Sequence, residues 1–310
     1  MRPQKKQANA TSGVGPRVIV VAKRSAYGRF LEEGEDPRIR ELLRRGDPSV
    51  KRWQKAHDDH MRTIDRVQET LDQHGAVSWV LHGPQTEFDA SSADLVITVG
   101  GDGTLLSASH HVLNTPILGV NSAPSHSVGF FCAGRLGNIR RLVYEALSGK
   151  LEAVSLTRMA VDVDGQKVSS RVLNEALFCH ASPAATSRYI LKIGNRKEEH
   201  RSSGVWVGTA AGSTGALLSA GGHVMPLLSE RLQVVVREPY QGERRPYALQ
   251  RFEVPERKSV VIQNKMRDAF LFLDGPYRRV RVEIGETMTF SPSDQPLRVL
   301  GLTAERTKPR

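Results

Sequence analysis

The residues best placed to do chemistry form Gly100-Gly101-Asp102-Gly103-Thr104. Three glycines give the backbone access to φ > 0 and let a ligand approach bare N–H groups, a way to cradle phosphate. Asp102 repels such a ligand unless it binds a metal or takes a proton, which fits a kinase whose acid activates an acceptor hydroxyl. The competing reading is a tight turn in which Asp102 caps the next helix. Neither common phosphate loop matches. Leu106 stands where the dinucleotide fingerprint needs a glycine, and Thr104-Leu105 is not the Lys-Ser/Thr pair of a Walker loop.

Three further stretches carry polar groups in apolar surroundings. Asn174-Glu175 lies inside LNEALFCH, where an amide and a carboxylate need partners. The hydroxyls of a ribose or a neighbouring loop would serve equally. Thr209–Gly215 (TAAGSTG) offers hydroxyls and N–H groups next to an apolar segment, and Ala211 rules it out as a nucleophile elbow. Asp274-Gly275 ends the apolar run FLFLDG, ordinarily a turn.

The elements that must position these groups change character at Gly149. Before it, strands over Arg17–Ala22, Val77–Leu81, Leu95–Val99 and Ile117–Val120 alternate with helices over Trp53–Gln73 and Leu136–Leu147. The five residues Leu95–Val99 suit a strand buried on both faces, which sets the glycine loop at its carboxyl end. The charged segment from Ser25 to Val50 holds a loop and a short basic helix near Ile39–Arg45. Beyond Gly149, Thr157–Val163 and Lys167–Phe178 flank an Asp164-Gly165 hairpin signal, and short strands follow. The expected fold class is therefore α/β plus β: a Rossmann-like, mostly parallel domain over 17–150 and a β-rich, sandwich-like domain over 151–296. Residues 1–16 read as a disordered basic tail, and 297–310 as a C-terminal segment returning toward the first domain.

The 310 residues are 39% hydrophobic and 25% charged, ordinary for a globular protein, but the formal net charge is +11. Such a surface suits polyanionic small substrates; with 6% aromatics and no aromatic–basic interleaving, nucleic acid is disfavoured. No apolar run reaches membrane-spanning length and no signal-peptide core is present, so a cytoplasmic protein is expected. Cys132 and Cys179 form no CxxC pair and read as buried thiols, and no histidine spacing, His110-His111 included, suggests a structural metal site.

Taken in order, GGDGT at 100–104, Asn174-Glu175, Gly212-Ser213-Thr214 and Asp274-Gly275 resemble the NAD kinase family over nearly all of 17–302. GVNSAP at 119–124, Ser202-Ser203-Gly204 and VREP at 236–239 look closest to its divergent, mitochondrial-type branch. The resemblance implies phosphoryl transfer from ATP or polyphosphate to the 2′-hydroxyl of NAD's adenosine ribose, giving NADP, with Mg²⁺ or Mn²⁺ as cofactor. Asp102 would act on that hydroxyl, Gly100, Gly101, Gly103 and Thr104 would hold donor phosphates, and Asn174, Glu175, Ser203, Ser213 and Thr214 would bind NAD. Asn121 and Asp274 are secondary candidates, and no protein metal ligand is assigned. The resemblance also implies a homodimer or homotetramer. The loop departs from the family's TPTGSTAY, and Ser203 replaces an acid found in most members. A lipid or other small-molecule kinase of the GGDGT superfamily and a non-catalytic nucleotide sensor are the alternatives.

Overall fold

Two β-branched runs set the middle of the first sheet. Arg17–Ala22 and Leu95–Gly100 pair in parallel, with Val18 opposite Leu95 and Ala22 opposite Val99. Every residue of Leu95–Gly100 is buried because helices cover both faces of the sheet. Val18, Val20 and Ala22 pack with Ile64, Val67 and Leu71 of the helix Trp53–Gln73. Ile19 and Val21 face the other way, toward Leu105 and Ala108 of the helix Asp102–Ser109. The computed structural model describes residues 15–83, 86–125, 127–241 and 247–305. Nearly all of the expected N-terminal tail, and the end of the C-terminal segment, lie outside them.

The strand order is Val77–His82, Arg17–Ala22, Leu95–Gly100, Ile117–Asn121, Leu297–Leu300, Ala153–Leu156, and Cys132–Arg135 also pairs with Ile117–Asn121. Leu297–Leu300 runs parallel to Ile117–Asn121, with Val299 opposite Ile117. Ala153–Leu156 closes the edge antiparallel to it, a few residues beyond Gly149. The helix Trp53–Gln73 ends before Gly75, which takes φ +65, although Met61 on its apolar stripe is 38% exposed. The next helix starts at Ile139 rather than Leu136, because Asn138 folds its amide back onto Arg135 and Ala133 and holds a turn there. In the charged segment, the helix is Pro37–Arg44. The Asp36 carboxylate caps it by accepting from the N–H groups of Arg38 and Ile39.

The β-rich half is two six-stranded antiparallel sheets packed face to face. One contains Met159–Val163, Gln166–Val172, Ser187–Ile193, Arg196–Ser202, Val260–Asn264 and Thr287–Pro292. The other contains Glu175–His180, Gly204–Gly208, Leu232–Arg237, Arg251–Val254, Ala269–Leu273 and Arg278–Val282. Val161, Leu191, Ile262 and Phe290 from one meet Phe178, Val205, Val234 and Leu271 from the other in a single core. The hairpin at Asp164-Gly165 has both residues at positive φ, +45 and +76.

The run Lys167–Phe178 is not one strand. It breaks at Leu173-Asn174, and its halves join different sheets. Two strands, Arg196–Ser202 and Arg251–Val254, lie at sheet edges, where one side faces solvent and charged residues replace the apolar pattern that marks a strand. Among the described residues Cys132, which is buried, and Cys179, which is only half-buried, form no disulfide.

Candidate functional site

The glycine loop is built on close approach, not on left-handed backbone. None of Gly100, Gly101 and Gly103 has positive φ, contrary to expectation. A Cβ on Gly100 would lie 2.2 Å from Thr104 Oγ1, and one on Gly101 would lie 2.3 Å from Ser127 Oγ. Gly103 meets nothing and stays exposed. Thr104 is 5% exposed, packed back against Gly100. The N–H groups of Thr104 and Leu105 turn back onto the Gly101 carbonyl, which leaves those of Asp102 and Gly103 at the mouth of the helix.

Asp102 is the first residue of that helix, yet its carboxylate does not cap it. Oδ2 accepts from the Phe130 N–H and Oδ1 from the Phe131 N–H, both at 2.8 Å. Each oxygen keeps a lone pair for another partner. Asn121 holds the intervening loop. Its Nδ2 donates to the Ser127 carbonyl and its Oδ1 accepts from the Ala123 N–H, so both ends of this candidate's amide are engaged within the protein.

A second cluster forms where the two β-rich sheets part. Asp274 sits at φ +49 with a side chain 2% exposed. Its carboxylate accepts from three successive N–H groups, Leu173 at 2.8 Å, Asn174 at 2.7 Å and Glu175 at 3.2 Å. This is what interrupts the strand at Leu173-Asn174, just before Glu175 enters the next ladder opposite Gly208. Asp274 is thus more than a turn. Asn174 Oδ1 is buried and has no partner among the described residues, a costly state for an amide oxygen. Burial, and then the Asp274 charge, push the Glu175 carboxyl up to about 8.

At neutral pH Glu175 is therefore largely protonated in the folded chain. Between its ordinary value and about 8 the unfolded chain has lost this proton and the folded chain keeps it, so this group's contribution to stability falls as pH rises. Glu175→Gln removes that dependence. The expected result, from urea unfolding at pH 5 and pH 8.5, is a variant that gains on the wild type by a few kcal/mol at the higher pH. An equal difference at both pH values would mean that Glu175 ionises normally.

The Gly-Ser-Thr loop packs directly on this cluster. A Cβ on Gly212 would lie 2.4 Å from the Asn174 carbonyl oxygen. Thr209 donates through Oγ1 to the Leu173 carbonyl at 2.5 Å and through its N–H to the Asn174 carbonyl. Ser213 is fully buried. Its hydroxyl donates to the Ala210 carbonyl and accepts from the Met225 N–H, so it shapes the loop from inside. Thr214 is half-buried beside it. Ser203 is not brought to this group. It precedes Gly204, which pairs with Arg237, whereas Gly208 at the strand's far end pairs with Glu175. Four residues of strand span about 13 Å.

The helix Asp102–Ser109 joins the two clusters, with Asp102 at its start and His110 following its end, about 12 Å on. His110 Nε2 lies 2.9 Å from Asp274 Oδ2, both side chains being almost fully buried. Arg158, wholly buried, donates to the carbonyls of Ser109, the last residue of that helix, and of Val112 beyond it, and to that of Gln295. Burial lowers its guanidinium to about 10. Arg171 donates to the His110 carbonyl. Leu173, Ala211 and Leu227 complete an apolar contact with Leu105, Ala108 and Phe131. Arg158 did not stand out in the sequence, and His110 did so only within a histidine pair that suggested no metal site. The one available signal was a lone arginine preceding an apolar strand. Among the described residues no group of three His, Cys, Asp or Glu is placed to hold a metal.

The model of the ATP-NAD kinase N-terminal domain matches residues 49–143, the segment that carries the glycine loop. The probable NADH kinase of Oryza sativa subsp. japonica is 32% identical over 261 residues, 77% of this chain and 80% of that protein. The NADH kinase of Arabidopsis thaliana is 35% identical over 228 residues, 66% of this chain and 71% of that protein. Among solved structures, an NAD kinase from Archaeoglobus fulgidus in complex with ATP superposes with a TM-score of 0.68 at 20% identity. That match covers 94% of this chain and 95% of the other, so the fold is shared along its length.

Proposed function

The chain belongs to the NAD kinase family, and from that membership we propose that it phosphorylates the 2′-hydroxyl of NAD's adenosine ribose to give NADP, with ATP as donor. The observation that carries the assignment of residues is the pairing of Asn174 and Glu175. An amide oxygen, buried and without a partner among the described residues, stands beside a carboxyl that keeps its proton. Together they offer an acceptor and a donor, which is what the hydroxyls of a dinucleotide ribose require.

Asp102 then acts on the acceptor. Two backbone N–H groups fix its carboxylate in place and leave lone pairs to take the hydroxyl proton as the new O–P bond forms. The mouth of the helix, with the N–H groups of Asp102 and Gly103, receives the donor's phosphates, and Gly100, Gly101 and Thr104 shape that mouth. Thr214 lines the pocket, and Ser213 supports it from within. A divalent cation, Mg²⁺ or Mn²⁺, offsets the negative charge of the phosphates during transfer. The residues present fit such an ion: Asp102, with lone pairs to spare, would be its one protein carboxylate, and donor phosphates would supply further oxygens. Two domains meeting at this site, a homodimeric or homotetrameric assembly and a cytoplasmic setting complete the proposal. Among the described residues no helix is long and apolar enough to cross a membrane.

The test is NADP formation by the purified protein with NAD, ATP and Mg²⁺, read with an NADP-specific dehydrogenase. Parallel reactions with NADH are included because both plant relatives carry the name NADH kinase. Polyphosphate replaces ATP in a further arm. Turnover with either dinucleotide supports the reading. Phosphorylation of a lipid instead, or tight dinucleotide binding with no product in any arm, would overturn it.

A further inference from the structure

Lys23 lies at the lip of the phosphate loop. It follows the strand Arg17–Ala22, and its N–H donates to the Val99 carbonyl at 3.0 Å, one residue before Gly100. Ile19 and Val21 face the helix Asp102–Ser109. The period-two alternation of a strand places residue 23 on that same face. Its ammonium is desolvated enough to lower its pKa, burial being the whole cause. Among the described residues no carboxylate pairs with it. Glu33, near by in sequence, is taken by Arg24 at 3.4 Å. A half-buried cation left without an anion is costly unless a ligand supplies one.

A buried imidazole also ties the backbone at Lys23 to the loop. His60 is 1% exposed, and burial takes it down to about 4, so it is neutral at physiological pH. Its Nε2 is 2.8 Å from the Lys23 carbonyl and its Nδ1 is 2.9 Å from Ser122 Oγ. A carbonyl only accepts, so Nε2 carries the hydrogen and Nδ1 accepts from the Ser122 hydroxyl. The Ser122 N–H in turn donates to the Gly100 carbonyl at 3.0 Å. This chain sets Lys23 and Gly100 in fixed relation, as a two-point grip on one ligand needs.

We propose that Lys23 is a substrate-contacting residue that binds the phosphate oxygens of the nucleotide donor, with His60 and Ser122 as positioning residues. The proposal rests on the NAD kinase reading of the loop, which supplies a donor with a polyphosphate chain. Lysine is a point charge suited to phosphate, and placed here it would also stabilise charge gathering on the transferred group.

The experiment compares wild type, Lys23→Met and Lys23→Arg by calorimetric binding of Mg²⁺-ATP and of tripolyphosphate, and by initial rates with each substrate varied. Lys23→Met should weaken ATP and tripolyphosphate binding and raise KM for ATP by about ten- to a hundredfold. KM for NAD should stay close to wild type, and Lys23→Arg should recover much of the loss. Unchanged binding in Lys23→Met while the wild type turns over would overturn this proposal and leave the kinase reading intact. Equal losses toward both substrates, with no recovery in Lys23→Arg, would show a structural residue and overturn it as well. A wild type that makes no NADP and binds neither ATP nor tripolyphosphate removes the parent reading, and this proposal with it.

Discussion

Asp102→Asn should lower kcat for NADP formation by about 10²–10⁴, the usual worth of a general base. Asparagine has the same shape but cannot accept the hydroxyl proton. The structure adds a second expected effect. Both Asp102 oxygens accept backbone N–H groups, from Phe130 and Phe131, and an amide has one oxygen to offer. Its NH₂ would face a donor, leaving one N–H unpaired, so the variant should also lose about 1–3 kcal/mol of stability. Urea unfolding measures that loss, and rates are then compared at a temperature where both proteins remain folded. A destabilised variant that keeps near-normal kcat would make Asp102 a clasp for the 129–131 loop and nothing more. Both losses together would mean that the hydrogen bonds aiming the carboxylate are part of how it works.

Asp274→Ala is expected to cost about 3–5 kcal/mol, because three backbone N–H groups lose their acceptor in a site closed to water. The same change frees the break at Leu173-Asn174 to relax, which would shift Asn174 and Glu175 away from the ligand. KM for NAD should therefore rise with the fall in stability. Asp274→Asn tolerates the positive φ and keeps one acceptor, so an intermediate loss is expected. Urea midpoints for the three proteins, with KM for NAD and for ATP, test this. A full loss of stability with NAD affinity unchanged would separate Asp274 from the dinucleotide site.

Much of this was legible in residue order alone, where local physics is decisive. The buried parallel strand, the loop at its carboxyl end and the long helix Trp53–Gln73 follow from apolar periodicity and from glycine placement, which depend on near neighbours in sequence. Asn174 and Glu175 stood out because polar side chains in an apolar run need an explanation, and Asp102 because a carboxylate on a phosphate-type loop does. The edge strands Arg196–Ser202 and Arg251–Val254 escaped notice because charged residues stand at most of their positions, which hides the apolar alternation.

What only the tertiary structure decided is which polar atoms already have partners. Ser213 and Asn121 look like ligand-binding residues in sequence, yet the side chain of each is engaged by backbone groups. Asp274 looks like a turn, and it organises residues about a hundred positions earlier through contacts with |i−j| from 99 to 101. Ser203 sits close to the Gly-Ser-Thr loop in sequence, and an extended strand carries it to the other end of the sheet. A residue's type states what it can bond, and that much is present in the sequence. Whether it is still free to bond a ligand depends on donors and acceptors brought in from distant segments, and only folding sets those distances.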